Sequence, residues 1–135
     1  MPLVVRGTPY SCWRCGPDDV AVAVIHLDGF ARAHEVITTE AGLSLAYAAE
    51  LLAAAGHAQA VTIKVRRSRA ARRAYLSNGC IRCDSLFGQF PVSEDVTSML
   101  ASDAVSTLPA LVTVEGPAIE WYAVIGLSAT SDNLA

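Results

Sequence analysis

The apolar positions in the first half of the chain predict a strand, a helix and another strand. Residues 20–27 are apolar on both alternating faces and rich in valine, which is typical of a strand inside a sheet. Residues 41–55 repeat apolar side chains at helical spacing in an alanine-rich stretch, and Gly56 is a natural terminator, so we expect one long helix there. Residues 61–66 alternate apolar with polar or basic side chains, which predicts a half-buried strand whose basic side chains face outward.

A β-hairpin is predicted next along the chain. The strand that begins at residue 61 turns near residues 68–71 and returns through residues 73–77. The turn-forming dipeptide Asn78-Gly79 then leads directly to Cys80. The cysteines at this point are therefore expected to lie at the end of a hairpin.

The last third of the sequence predicts a short helix and a further hairpin. Pro91 and Ser93 indicate the start of the helix, with Ser93 as its N-cap and acidic residues in its first turn. Residues 111–115 and 119–125 have strand-like composition and flank a Gly-Pro dipeptide. We expect these two segments to pair.

Together these elements predict an α+β fold. It consists of a mainly antiparallel sheet with one long helix against it. A chain of 135 residues with 53% hydrophobic residues can form one core, so we expect a single domain over residues 1–127. Residues 128–135 offer little apolar surface to bury and are predicted to fray.

Charge and hydropathy narrow the class of protein. The formal net charge of −3 does not by itself indicate a nucleic-acid-binding protein. The amino terminus lacks the basic and apolar regions of a secretory signal, and the longest apolar run, residues 20–25, is too short to span a bilayer. We therefore expect a cytoplasmic protein without membrane association, in which paired cysteines bind metal or perform redox chemistry.

Every cysteine belongs to a Cys-x-x-Cys pair. Cys12 and Cys15 form the first pair, and Cys80 and Cys83 form the second. Pairs of this spacing suit one tetrahedral zinc ion, whose four sulfur ligands leave no position for a substrate. The sequence therefore predicts one structural zinc ion bound by all four cysteines. The domain over residues 1–127 would then be zinc-stabilised, with a zinc-ribbon-like pair of cysteine turns at one end of the sheet. Iron is the alternative metal, because four thiolates suit it as well.

The residues next to the cysteines fit such a site. We name residues 12–16 the first knuckle and residues 80–84 the second knuckle. Gly16 tolerates the left-handed backbone that these turns often need, and Asp84, at the matching position, can also adopt it. Trp13 is interpreted as a hydrophobic cover over the metal.

A thiol-disulfide oxidoreductase is the catalytic alternative. The first pair has the spacing of a redox dithiol, and Arg14 could favour a thiolate. Redox dithiols normally follow a strand and open a helix, however, whereas a predicted strand follows this pair. The sequence contains no common catalytic signature, and His26 lies in an apolar strand as a predicted core residue, so we name no catalytic residue.

Basic side chains concentrate on the predicted hairpin and the second knuckle. They are Lys64, Arg66, Arg67, Arg69, Arg72, Arg73 and Arg82. Arginine grips phosphate bidentately, so nucleic acid or another polyanion, such as an acidic protein surface, is the predicted partner of a non-catalytic binding module. The plainer interpretation is a solvated or salt-bridged hairpin. A protein-interaction module or a homo-oligomer is a further alternative, since Phe90, Trp121 and Tyr122 are candidates for exposure.

Two segments resemble small bacterial zinc-ribbon-type proteins. Residues 12–16 match a C-W-x-C-G turn, and residues 78–90 match an N-x-C-x-x-C-x-x-L-x-G-x-F segment. The resemblance implies that the same four cysteines are the ligands, but it supplies no reaction or partner. Ile81 stands where such turns often carry proline, and residues 30–56 and those beyond residue 90 have no counterpart.

Overall fold

The computed structural model describes residues 2–16, 18–39 and 42–115. The strands are β1 (Pro2–Ser11), β2 (Asp18–Leu27), β3 (Ile37–Thr38), β4 (Lys64–Ser68), β5 (Arg73–Ser77) and β6 (Ala110–Glu115). The helices are α1 (Gly42–Ala54) and α2 (Gln89–Ala101), and short 3-10 turns cover Ala33–Glu35, Ala58–Thr62 and Val105–Thr107.

Two antiparallel sheets organise the described part of the chain, which confirms the α+β prediction. One sheet has the order β3-β2-β1-β6, and the other is the hairpin β4-β5. Strand β2 lies inside its sheet, as its apolar faces predicted. Strand β1 was not predicted; Gly7 lies in it at a shift of register against β2, and glycine is typical of such irregularities.

The two helices differ from the prediction in their relative length. Helix α1 begins and ends within one residue of the predicted 41–55. Helix α2 has the same length of 13 residues, so the expectation of one long helix and one short helix is not confirmed. The N-cap of α2 is Gly88 instead of the predicted Ser93. Pro91 therefore falls in the first turn, where backbone N–H groups need no partner within the helix.

The strand predicted over residues 61–66 is only partly correct. Val61 lies in a 3-10 turn, and β4 begins at Lys64. The predicted orientation holds for the buried Ile63 and the exposed Lys64. It is wrong for the next two residues, because Val65 is 65% exposed, whereas the Arg66 side chain is only 8% exposed. Arg66 turns inward because it finds hydrogen-bond acceptors there, as described below. The returning strand β5 lies where it was predicted.

The larger sheet is buried on both faces. A first core cluster packs Leu3, Val5 and Val22 against α1, through residues such as Leu52. A second cluster places other residues of β2 against α2; its members are Cys12, Ala21, Ala23, Val24, Cys80, Phe87, Val92, Val96 and Val105. One cysteine of each knuckle is therefore part of a core cluster.

His26 is a buried residue with its hydrogen bonds satisfied, as predicted. Its Nε2 accepts a hydrogen bond from Arg6 Nε at 2.8 Å, and its Nδ1 lies 2.6 Å from the carbonyl oxygen of Leu27, to which it donates. Burial, together with the nearby charge of Arg6, lowers the pKa of His26 below its ordinary value. The neutral imidazole is therefore a structural group.

Several predictions concern parts of the chain outside the described residues. These are the strand over residues 119–125, the domain end at residue 127, the frayed tail 128–135 and the exposure of Trp121 and Tyr122; the side chain of Phe90 is also not described. Neither of the two helices in the described ranges has the length and apolar character needed to cross a bilayer.

Candidate metal centre

The two knuckles come together although they are far apart in sequence. The first knuckle connects β1 to β2, and the second lies between β5 and α2. Its ends are held by an isolated antiparallel bridge between Gly79 and Leu86. Both knuckles are thus short loops carried on strand ends, which is a rigid way to present four thiols.

Both knuckles form the same type of backbone turn. The Gly16 N–H donates to the carbonyl oxygen of Cys12 at 2.9 Å, and the Asp84 N–H donates to that of Cys80 at 3.0 Å. The residue after each pair is left-handed, with φ of 86° at Gly16 and 64° at Asp84. This confirms the expectation that both positions adopt a left-handed conformation.

The four sulfur atoms form a compact group. All of them lie within 4.8 Å of one another. Two separations between the knuckles are 3.5 Å, from Cys12 Sγ to Cys83 Sγ, and 3.4 Å, from Cys15 Sγ to Cys80 Sγ. Sulfurs placed tetrahedrally about 2.3 Å from a zinc ion would be about 3.8 Å apart. The group therefore has the size and chemistry to hold one metal ion, and none of the four cysteines forms a disulfide.

The pKa values of Cys83 and Cys15 shift in opposite directions because their hydrogen-bond partners and their desolvation differ. Hydrogen bonds from the Ser85 side chain and backbone lower the pKa of Cys83 to about 6. The Arg82 guanidinium favours the thiolate of Cys15, but desolvation and the neighbouring sulfurs outweigh it and raise the pKa of Cys15 to about 11. Four negative charges in this volume repel one another, and a divalent cation would relieve that repulsion.

Asp19 ties the start of β2 to the second knuckle. Its carboxylate accepts hydrogen bonds from the Ile81 N–H at 3.0 Å, the Val20 N–H at 2.8 Å and the Gln59 amide at 3.0 Å. Burial alone would raise the pKa of Asp19, but these hydrogen bonds outweigh burial and keep the pKa below its ordinary value. The carboxylate therefore aligns the two knuckles independently of any metal.

Asn78 supplies a second tie between the second knuckle and β2. Its buried side chain accepts a hydrogen bond from the Val22 N–H at 2.8 Å and donates one to the Val22 carbonyl oxygen at 3.1 Å. The amide thus pairs with β2 as a neighbouring strand would. The sequence indicated only a turn at this position.

Part of the predicted basic surface is used inside the protein. Asp84 forms ion pairs with Lys64 at 2.8 Å and Arg66 at 2.7 Å. Arg66 also donates to the carbonyl oxygen of Ser77 at 3.0 Å, and a Cβ atom at Gly79 would clash with its guanidinium group. Arg66 therefore fixes the hairpin to the second knuckle.

Of the remaining basic residues, Arg82 and Arg73 contact other parts of the protein, and the other three are exposed on the hairpin. Arg82 donates to the carbonyl oxygen of Asp18 at 3.3 Å, and its contact with Cys15 raises the pKa of Arg82. The Arg73 guanidinium lies 5.3 Å from the centre of the Tyr75 ring. Arg67, Arg69 and Arg72 are exposed on the hairpin and its turn. Binding of a partner by these residues stays a prediction.

Trp13 does not have the buried position that a cover over the metal would require. It is 70% exposed, and its Nε1 donates to the carbonyl oxygen of Leu86 at 2.9 Å. The hydrogen bond holds the indole ring beside Leu86, two residues beyond the second knuckle. Most of the ring therefore faces solvent.

Comparisons with protein-family models, with curated proteins and with solved structures found no match to this chain. Its functional interpretation therefore rests on the geometry of the site.

Proposed function

We propose that the protein is a non-catalytic module in which Cys12, Cys15, Cys80 and Cys83 hold one structural zinc ion. The observation that carries this proposal is the approach of all four sulfurs to within 4.8 Å of one another. Zinc bound by four thiolates has no open coordination position, so the ion would stabilise the fold without activating a substrate. The zinc-ribbon-type resemblance of both knuckles agrees with this role.

The surroundings of the cysteines favour this role over thiol-disulfide exchange. Redox Cys-x-x-Cys pairs usually open a helix, where the helix dipole stabilises one thiolate. The first knuckle instead leads into β2, and α2 begins only at Gln89, beyond the second knuckle. Sulfurs of different pairs also lie 3.4 and 3.5 Å apart, so all four thiols can reach one shared metal ion.

Metal analysis tests the zinc proposal. Protein purified without chelator should contain one zinc ion per chain, and its four thiols should resist alkylation until the metal is removed. A disulfide within either pair, or metal content far below one ion per chain after zinc supplementation, would contradict the proposal. Iron in place of zinc would be visible from its absorption spectrum.

We further propose that the hairpin β4-β5 binds an anionic macromolecule. Support comes from Arg67, Arg69 and Arg72, whose side chains are exposed, and which no ion pair engages within residues 2–16, 18–39 and 42–115. Exposed guanidinium groups can contact phosphates or carboxylates bidentately. A nucleic acid is the partner class that we favour, and an acidic protein is the alternative outcome.

Replacing Arg67, Arg69 and Arg72 together by alanine should weaken binding to heparin and to mixed-sequence nucleic acid about tenfold or more at low salt. The slope of log affinity against log salt should fall by roughly two to three, because each lost phosphate contact removes about one released counterion. The same variant should retain its metal and its melting temperature, since these side chains are exposed. Unchanged affinity in the variant, or no affinity of the parent for either polyanion, would favour a hairpin that is merely solvated.

A further inference from the structure

An open groove of about 690 Å³ lies between the first knuckle and the turn of the β4-β5 hairpin. It brings together parts of the chain that are distant in sequence. Its walls carry the aromatic residues Tyr10 and Trp13 and the arginines Arg14, Arg67 and Arg69. Ser85, Leu86 and Gly88 from the second knuckle region also line it.

The groove is basic without internal compensation. None of its lining residues is acidic. Within the described ranges, no hydrogen bond or ion pair engages the guanidinium groups of Arg14, Arg67 or Arg69, whereas Arg66 on the same hairpin is paired with Asp84. Clustered cations that lack acidic neighbours attract an anionic ligand and repel one another until it binds.

Trp13 gives the groove a flat apolar surface. Its ring is 70% exposed, yet the hydrogen bond from Nε1 to Leu86 restricts its orientation. A large aromatic ring held in place but left in water is suited to stacking against a planar ligand, because little conformational freedom is lost on binding. A nucleobase has such a planar face, and its phosphates would meet the three guanidinium groups.

We propose that this groove binds single-stranded nucleic acid, with Trp13 stacked on a base and with Arg14, Arg67 and Arg69 contacting the backbone. This inference rests on the proposed binding of an anionic macromolecule by the hairpin and makes its chemistry specific. Only an unpaired, unstacked base can offer its face to an indole ring, so a duplex would lose this contact. An acidic protein would satisfy the arginines but would give Trp13 no stacking partner.

Fluorescence titration tests the proposal in a Trp121→Phe background, where Trp13 is the remaining tryptophan of the two in the sequence. The probes are a 12-nucleotide oligothymidylate, a 12-base-pair mixed-sequence duplex and heparin. The oligothymidylate should quench the Trp13 emission and bind at least several-fold more tightly than the duplex at equal salt. Heparin should bind through the arginines with little change in emission.

Substitutions of Trp13 separate stacking from charge. Trp13→Leu should weaken oligothymidylate binding between about 5- and 150-fold, the range that corresponds to loss of one base–aromatic stack. Trp13→Phe should retain most of the affinity, and heparin binding should change less than twofold in either variant. Arg14→Ala should weaken binding of all three probes, whereas Arg72→Ala, an exposed arginine outside the groove lining, is the matched control and should have the smaller effect.

The outcomes distinguish this inference from the function on which it rests. If the duplex binds as tightly as the oligothymidylate, or if Trp13→Leu leaves oligothymidylate binding unchanged, the groove proposal is overturned while polyanion binding by the hairpin stands. If none of the probes binds at low salt, both are overturned. Metal content is measured in every variant. If Trp13→Leu loses its metal, the titrations in the Trp121→Phe background decide: absence of Trp13 quenching by bound oligothymidylate, or equal affinity for the duplex, overturns the groove proposal.

Discussion

Cys80→Ser is expected to release the metal ion and to lower the melting temperature steeply. Cys80 is buried in the second core cluster together with Cys12, so the substitution removes a ligand and places a hydroxyl group in an apolar setting. Binding of a structural zinc ion contributes its free energy directly to folding. Because the domain also has a core of its own, we expect partial compensation and a loss of roughly 4–6 kcal/mol in the free energy of unfolding.

Thermal unfolding and metal analysis of the same samples check this expectation. For a domain of this size the loss corresponds to a fall of roughly 10–20 °C in melting temperature. Chelator provides the control: it should lower the melting temperature of the parent protein and leave that of Cys80→Ser almost unchanged. A variant that keeps both full metal content and the parental melting temperature would show that the site does not stabilise the fold.

Asn78→Leu should produce the second-largest loss of stability, by roughly 1–3 kcal/mol. The leucine has a similar volume but offers neither the acceptor nor the donor that pairs with the Val22 backbone. The Val22 N–H would then be left without this partner in a buried strand, which costs more than the hydrogen bond itself contributes, whereas the Val22 carbonyl oxygen would keep the hydrogen bond from Thr39 Oγ1 at 3.0 Å. Denaturant unfolding measures the difference in free energy between parent and variant.

Metal content separates this effect from loss of the proposed metal ion. The four sulfurs are unaltered in Asn78→Leu, so the variant should still bind one metal ion, although with lower stability of the folded state. Asn78→Ser retains a smaller polar group, so its stability should lie between that of the parent and that of Asn78→Leu. A stability within about 0.5 kcal/mol of the parent would mean that the Val22 backbone finds other partners.

The features that could be predicted from the sequence are those that depend on neighbouring residues. The apolar run of β2, the alanine-rich periodicity of α1 and the Asn78-Gly79 turn are local signals. The spacing of the cysteines similarly identified the four thiols that converge. The left-handed turn at Gly16 and Asp84 could also be anticipated, because it depends on the conformational range of single residues.

The features that were missed depend on contacts distant in sequence. The alternation of Val65 and Arg66 allows either side chain to face inward, and the choice is made by Asp84, which lies 18 positions beyond Arg66. The same is true of Asn78, whose partner Val22 is 56 positions away. The groove between Trp13 and the hairpin arises only when the two knuckles meet, so no segment of the sequence could indicate it.

The spacing of the metal-binding residues has a consequence for the unfolded chain. Cys12 and Cys83 are 71 positions apart, and Cys15 and Cys80 are 65 positions apart. An ion that stayed on its four thiolates during denaturation would act as a crosslink closing a loop through most of the molecule. By the chain-entropy relation used for disulfides, a loop of this length lowers the entropy of the denatured ensemble by the equivalent of about 4 kcal/mol. Retention of the ion in denaturant would thus favour refolding by restricting the conformations from which it starts.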